Sequence, residues 1–427
     1  MRGWSPERVA AAAGGATSGS DPNVAEGPSR VVIDSRSTGP GDLFVGLAGE
    51  NVDGGRFAEQ ALEAGAWGVL VSGEHARLGG LSHQSQTVIA VEDPLAALGA
   101  LAREWRRELG AKVAAITGST GKTSTKDLLA AMLAPHLRTV ATHANLNTEI
   151  GLPLTILGAP EGTQALVLEM AMRGVGQIAE LVAIAEPDVG VITNIGPVHL
   201  ELLGSIEAIA ATKAELIRDL RPGATAVVPA DEPLLDAHLR DDIEIVRFGE
   251  GEPLPDGLEL PFTSAHMLRN ARAAVAAARA LGVEPTGRIE VELSAMRGQR
   301  IELPGHIVVV NDCYNANPMS MRAALDDLAV SADGRRVAVL GDMLELGPDE
   351  LRFHAEIGEH ARADGVELLV TVGPLAREMR GDHAVDTAAE AAELVRELVR
   401  PGDTVLVKAS RGVGLEVVAE ALQEAAA

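Results

Sequence analysis

Residues 112–136 constrain the fold more than any other stretch. An apolar run, KVAAITG, leads into Ser119-Thr120-Gly121-Lys122-Thr123, and then into STKDLLAAMLAPH, which reads as a helix. A buried-type strand that passes through a glycine-rich turn straight into a helix is the repeating unit of a parallel α/β sheet. Gly118 and Gly121 allow backbone N–H groups to face an anion. The helix N-terminus adds positive potential. Lys122 is placed to reach β- and γ-phosphates, and the Thr123 hydroxyl is placed to bind Mg²⁺. The plain alternative is a Gly/Ser/Thr turn with no ligand, and it leaves Gly-Lys-Thr at the junction unexplained. One position departs from the P-loop spelling: its first Gly is Ile116 here.

The same alternation continues through the chain. Strands are expected at 31–36, 41–49 and 67–72, with helices at 57–66 and 94–109. A second group has strands at 112–118, 165–171, 188–196 and 225–231, with helices at 124–136, 208–220 and 264–282, and a loop at 249–261. From 304 a third pattern starts with HIVVVNDCYNANP and continues with strands at 335–343, 366–373 and 403–412. A chain of 427 residues is too long for one core. The predicted class is α/β with three domains, at 1–109, 110–303 and 304–427. The first is a small α/β domain, the second a P-loop-type parallel sheet, and the third Rossmann-like, with ligands at its strand ends.

Composition removes several function classes. The net charge of −25 argues against a nucleic-acid partner. No apolar run reaches the length of a membrane span, and the first twenty residues lack the apolar core of a secretory leader. The single cysteine, Cys313, allows no internal disulfide, which fits a reducing cytosol. It reads as a small buried hydrophobe. Lysine is confined to Lys112, Lys122, Lys126, Lys213 and Lys408, so each has a raised chance of a specific role.

Other candidates lie at strand ends. Glu169 closes LVLE, and His199 follows a strand in TNIGPVHLE. Carboxylates there suit Mg²⁺, which prefers oxygen, although an ion-paired strand end or an ordinary loop histidine would look the same. Lys213, near Glu215 in TKAEL, reads on spacing as an exposed helical charge. Asp312, Tyr314, Asn315 and Asn317 crowd one strand end. They suit ribose or base recognition, or else a capped turn.

Taken in order, these segments resemble the Mur ligases, ATP-dependent amide-forming enzymes of peptidoglycan synthesis. Their phosphate loop has the shortened form ITGxxGKT, which accounts for Ile116. The match continues through NLNTEIGLP (145–153), LEM (168–170), TNIGPVHLE (193–201), TKAEL (212–216) and RGQR (297–300), covering nearly the whole chain. Within the family, VVIDSRSTGPGDLFVGLAG at the front, and NDCYNANPMSMRAAL (311–325), GDMLELG (341–347) and LVKASRG (406–412) at the back, resemble the members that add D-Ala-D-Ala. The Asn-Pro-Arg signature of the diaminopimelate-adding members is missing. Departures are Ser264 and Met267 in the Gly-x-His-Asn-x-x-Asn motif, Ala171 for Gly, and a short 247–263.

The resemblance implies a cytoplasmic, monomeric ligase that joins D-Ala-D-Ala to UDP-MurNAc-tripeptide at the expense of ATP. It makes the first domain the UDP-substrate domain and the second the ATPase. It gives Gly118, Ser119, Thr120, Gly121, Lys122 and Thr123 to the phosphates, and Asn270, Arg300, Asp312, Tyr314, Asn315 and Asn317 to the rest of the nucleotide. Two Mg²⁺ ions are implied, with Thr123, Glu169, His199 and a carbamylated Lys213 around them. Lys122, Glu169, His199 and Lys213 are the implied catalytic set. Ser35, Arg36 and Ser37 face the UDP-sugar, and Asn145, Asn147 and Thr148 face the substrate. Lys408 and Arg411 are candidates for the dipeptide carboxylate. The rival readings are another amide ligase, such as folylpolyglutamate synthase, and a regulatory P-loop NTPase.

Overall fold

The computed structural model describes residues 1, 3–18, 27–78, 87–198, 200–291 and 294–426. The N-terminal unit runs α1 (Pro6–Ala12), β1 (Ala16–Ser18), β2 (Arg30–Val32), β3 (Asp42–Val45), α2 (Ala58–Glu63), β4 (Gly68–Ser72), α3 (Gly73–Leu78) and β5 (Thr87–Val91). Its sheet has the order β1-β5-β4-β3-β2 and is parallel except at β1. The expected strand at 31–36 stops early. The Asp34 carboxylate takes the Arg36 N–H, and Ser35–Ser37 coil into a 3₁₀ turn.

The middle unit runs α4 (Pro94–Leu109), β6 (Lys112–Thr117), α5 (Lys122–Leu133), β7 (Thr139–Ala141), α6 (Gly151–Leu157), β8 (Ala165–Glu169), α7 (Gln177–Ala185), β9 (Val189–Ile192), α8 (Leu200–Leu203), α9 (Ile206–Lys213), α10 (Glu215–Arg218), β10 (Thr225–Pro229), β11 (Glu244–Phe248), β12 (Leu258–Glu259), α11 (Ala265–Ala280) and β13 (Gly287–Arg288). Six strands form one all-parallel sheet in the order β11-β10-β9-β6-β8-β7. Strand β6 sits where the strand order reverses, the place where open α/β sheets bind ligands. Helix α4 matches its expected span because the sequence punctuates it: Asp93 accepts from Leu95 and Ala96 N–H, Pro94 opens it, and left-handed Gly110 ends it.

Two expectations need correction here. The single helix expected at 208–220 breaks after Lys213, and α10 restarts at Glu215. The Glu215 carboxylate is buried and accepts from Gly176 N–H (2.7 Å) and Ala179 N–H (3.1 Å) at the start of α7, so it is not the surface partner of Lys213. The loop expected at 249–261 contains β12, which pairs with β13.

The C-terminal unit runs β14 (Gln299–Leu303), β15 (Ile307–Asn311), α12 (Pro318–Ser331), β16 (Arg336–Gly341), α13 (Glu350–Ala363), β17 (Leu368–Val372), β18 (His383–Val385), α14 (Ala388–Leu398), β19 (Thr404–Lys408) and α15 (Glu416–Ala426). Its sheet has the order β14-β15-β19-β16-β17-β18, parallel except at β14. The boundary expected at 303/304 therefore moves to before Gln299. The chain reverses between β14 and β15 through Gly305 (φ +80°) and His306 (φ +59°), both left-handed as in tight hairpins.

Helix α4 fastens the first two units together. Trp105 packs edge-on against Trp4, and its indole N–H donates to the Ala159 carbonyl at 3.0 Å. Arg106 donates to the Ala185 and Glu186 carbonyls at 3.0 and 2.8 Å, which satisfies the open end of α7. No described helix is long and apolar enough to cross a membrane. Trp105→Ala should lower the unfolding free energy by about 3–5 kcal/mol, read from urea denaturation. A loss below about 1 kcal/mol would mean that the α4 packing is not a main tie, since ordinary surface changes fall within that range.

Candidate active site

The phosphate loop is held from behind before any ligand arrives. Gly118 (φ +149°) and Gly121 (φ +76°) take conformations open mainly to glycine. A side chain at Gly118 would overlap the Thr193 hydroxyl, and one at Gly121 would overlap the Asn270 amide. Thr120 N–H donates to Asn194 Oδ1 at 2.9 Å, and Asn194 Nδ2 donates back to Thr120 Oγ1 at 2.7 Å. The Ser119 hydroxyl exchanges hydrogen bonds with the backbone of Gly196 at 3.0 and 2.8 Å. Strand β9 and the turn after it thus fix the loop that follows β6.

Two lysines meet on one oxygen. Lys122 Nζ donates to the Gly118 carbonyl at 2.9 Å and Lys213 Nζ donates to the same atom at 3.1 Å. Lys213 is 3% exposed, so its plain reading as a surface charge is overturned. Burial pushes its amine well below the ordinary lysine range, and the Lys122 charge adds to the effect. Burial also lowers Lys122, against the pull of Glu169 and with a further push from Arg297.

Glu169, at the end of β8, is 2% exposed. Its Oε1 accepts from Asn147 Nδ2 at 2.8 Å, while its buried Oε2 has no hydrogen-bond partner among the described residues. Thr123 is buried on the first turn of α5. An orphaned carboxylate oxygen, a hydroxyl and an amine disposed toward its neutral form are a donor set that fits Mg²⁺ once the amine carries an oxygen ligand. His199 lies outside the described residues.

A second cluster crowns the C-terminal sheet. Lys408, at the end of β19, donates to Asp312 Oδ2 (2.6 Å) and to the Asn315 carbonyl (2.9 Å). Tyr314 lies under the Arg297 guanidinium, 3.8 Å from ring centroid to Cζ. Asn317 caps α12 in a reciprocal pair with Ser320, and Asn315 Oδ1 accepts from Ala316 N–H. Burial pushes the Cys313 thiol up to about 12, so it is inert as a nucleophile. The two clusters lie on facing units: Gly196 of the middle unit packs so closely on Met319 of α12 that a side chain there would overlap its sulfur.

Three family models match successive stretches of the chain, the first reaching into α4. Family models for the Mur ligase family catalytic domain, the Mur ligase middle domain and the Mur ligase glutamate ligase domain match residues 29–106, 116–257 and 296–411. UDP-N-acetylmuramoyl-tripeptide–D-alanyl-D-alanine ligase of Bacillus subtilis is 36% identical over 429 residues, covering 92% of this chain and 93% of that one. The chain belongs to the Mur ligase family. Among solved structures of Mur ligases, MurF from Acinetobacter baumannii superposes with a TM-score of 0.87 at 30% identity over 99% of both chains. MurF from Thermotoga maritima in complex with ADP gives 0.83 at 31% identity, over 92% of this chain and 97% of that one.

For this Mur ligase, the structure separates the sequence candidates. It gathers Gly118 to Thr123, Lys213 and Asn270 at the phosphate loop, and it joins Asn147 to Glu169. Asn145 and Thr148 share the Asn147 loop, whose backbone accepts from Asn147 and Leu152 N–H. Ser35, Arg36 and Ser37 stay in the N-terminal unit, where the exposed Arg36 pairs with Asp34. Arg300 donates to Ser331 at 3.0 Å and pairs with Asp327 at 3.6 Å. Arg411 pairs with Glu416 at 3.0 Å.

Lys408 requires a correction. It is 2% exposed and already holds an acid, so it positions the Asp312–Asn315 turn and is not open to a dipeptide carboxylate. Asn194 and Thr193 were missed as loop braces, although both stand in the quoted TNIGPVHLE segment. Lys408→Met should destabilise the protein by about 3–5 kcal/mol, because Asp312 is left without its partner. A variant of normal melting temperature with only a raised KM for D-Ala-D-Ala would return Lys408 to the dipeptide site.

Proposed function

We propose that this Mur ligase joins D-Ala-D-Ala to UDP-MurNAc-tripeptide, yielding UDP-MurNAc-pentapeptide, ADP and phosphate. The observation that carries the reading is the convergence of Lys122 and Lys213 on the Gly118 carbonyl beside an unpartnered Glu169 oxygen. Lysine amines on a phosphate loop beside an open carboxylate oxygen suit a triphosphate and its counter-ion. The likeness over all three units to enzymes named for this ligation supplies the substrates.

A carboxylate resists attack because its charge is delocalised. The tripeptide's terminal carboxylate oxygen takes the γ-phosphoryl group, the bond to the β-phosphate oxygen breaks, and ADP leaves. The free amine of D-Ala-D-Ala attacks the carbonyl carbon of the acyl phosphate. It loses a proton as the tetrahedral intermediate expels phosphate. Lys122 and the Gly118–Thr123 amides hold and orient the triphosphate. Asn147 holds the Glu169 carboxylate in place. The Asp312–Asn317 turn, set by Lys408, contributes the nucleotide contacts from the facing unit. Ser35, Arg36 and Ser37 face the UDP-sugar, Asn145 and Thr148 line the substrate loop, and Arg411 is the remaining candidate for the dipeptide carboxylate.

Mg²⁺ ions would be held by Thr123, Glu169, His199 and Lys213 as a carbamate, and when bound they screen the charge between the carboxylate and the triphosphate. Burial favours the neutral Lys213 amine, the form that adds CO₂. The addition turns a repelled cation into an anionic oxygen donor. In this reading the enzyme is a monomer, and soluble UDP-linked and ATP substrates fit the cytoplasm.

ATP hydrolysis or ligation should require both UDP-MurNAc-tripeptide and D-Ala-D-Ala, and mass spectrometry should show the pentapeptide. Turnover of ATP without either would favour a regulatory NTPase. Lys122→Ala should lower kcat by about two orders of magnitude or more. Lys213→Ala should lose a comparable amount, and a small added carboxylic acid should restore part of it. Wild-type protein in ¹³C-bicarbonate should show a carbamate NMR signal that Lys213→Ala lacks and that fades on acidification. Full activity of Lys213→Ala in CO₂-free buffer, with no such signal, would overturn the carbamate.

A further inference from the structure

Among the lysines, Lys112 and Lys126 have no role so far. Lys112 donates to the Leu281 carbonyl at 2.6 Å and so closes the end of α11. Lys126 sits on the phosphate-loop helix α5 and is 3% exposed. Its Nζ donates to the Thr142 carbonyl at 2.7 Å and pairs with Asp127 Oδ1 at 2.7 Å. The other Asp127 oxygen accepts from the Ser294 N–H and hydroxyl at 3.0 and 2.9 Å, on the link between the middle unit and β14. A buried ion pair is a poor way to stabilise a fold, because taking both charges out of water offsets their attraction. What this pair fixes is the position of the Thr142 carbonyl.

Thr142 is a junction. It follows β7 directly and is buried. Its N–H donates to the Val167 carbonyl at 2.9 Å, and its hydroxyl accepts from the Glu169 N–H at 3.0 Å. The Lys126 ammonium takes its remaining polar atom, the carbonyl. That carbonyl shares a rigid plane with the next N–H, so the lysine sets the direction in which the chain leaves the sheet. The chain then bends at Ala144 (φ +51°), a conformation uncommon for alanine. It returns at Asn147, whose carbonyl accepts from the Ala171 N–H (2.9 Å) and whose side-chain amide donates to Glu169 Oε1 (2.8 Å). Between these anchors His143, Ala144 and Asn145 are exposed, and Thr148 is exposed just beyond. One anchor of the loop is Asn147, and the other depends on Lys126.

We propose that Lys126 is a positioning residue for the UDP-linked peptide substrate: from α5 it fixes the departure of the 143–148 loop, and with it the presentation of Asn145 and Thr148. This rests on the reading of that loop as substrate-facing. The phosphate loop is braced from the other side of β6, by Thr193, Asn194 and Gly196. Loss of Lys126 therefore separates the two ligands. The phosphate loop keeps its braces, and the substrate loop loses one of its two anchors.

The test is two calorimetric titrations of full-length protein. The first adds a non-hydrolysable ATP analogue with Mg²⁺, and the second adds UDP-MurNAc-tripeptide to protein saturated with that analogue. Lys126→Met should weaken UDP-MurNAc-tripeptide by about tenfold or more and leave the analogue within about twofold. In turnover, the KM for UDP-MurNAc-tripeptide should rise in parallel while the KM for ATP stays in place. Should Lys126→Met melt below the assay temperature, Lys126→Met/Asp127→Asn, which leaves no unpaired carboxylate behind, decides by the same two titrations. Equal weakening of both ligands would make Lys126 a general support of the fold, and unchanged binding of both would free the loop from it; either result overturns the proposal. Wild-type protein that binds the analogue but no UDP-MurNAc-tripeptide would overturn the substrate reading itself, and this inference with it.

Discussion

Two lysine amines share the Gly118 carbonyl, and neither has a carboxylate within ion-pair distance among the described residues. Like charges so placed, with water excluded, cannot both be held at ordinary lysine basicity. The arrangement persists because the backbone leaves no other place for them. Gly118 and Gly121 fold the loop, Thr193, Asn194 and Gly196 brace it, and α9 stops at Lys213 to point it inward. The third large element of the site, Glu169, keeps an oxygen with no hydrogen-bond partner among the described residues, close enough to Lys122 for their charges to interact. The site is thus incomplete in charge, as expected of one that takes the phosphates of a nucleotide.

The sequence revealed the frame of this arrangement and missed its fastenings. Strand β6, the loop and α5 were legible because each follows local chemistry: an apolar run, two glycines and a helix start. Helix α4 was legible to the residue because its caps are written beside it. The position of Lys213 was not, since helix spacing next to Glu215 looks the same for a surface lysine as for a buried one. What decides it is Glu215 reaching instead for the amides of α7, a contact across 39 residues. Strand β14 was hidden for a similar reason. Its five residues are short and half polar, and they read as a strand only once β15 lies beside them.

The C-terminal candidates divide along the same line. Asp312, Asn315, Asn317 and Lys408 were picked out because polar residues crowd a strand end, and that crowding is real. Much of it is internal: Lys408 holds Asp312, and Asn317 caps α12. Spacing could not separate groups that bind from groups that build the binder. Lys126 shows the reverse case. It reads as one more polar residue inside a helix, and only its bond across to Thr142 reveals what it holds.

The link that carries Arg297 runs without a break into β14, which is paired along its whole length to β15. A pull between the two units is therefore applied along the axis of a strand whose hydrogen bonds lie across it. Such a joint is loaded in shear, with all its bonds sharing the force at once, and does not peel open one bond at a time. The C-terminal unit thus hangs from an edge strand of its own sheet, and the residues between Ser294 and Gly298 carry the turn into it.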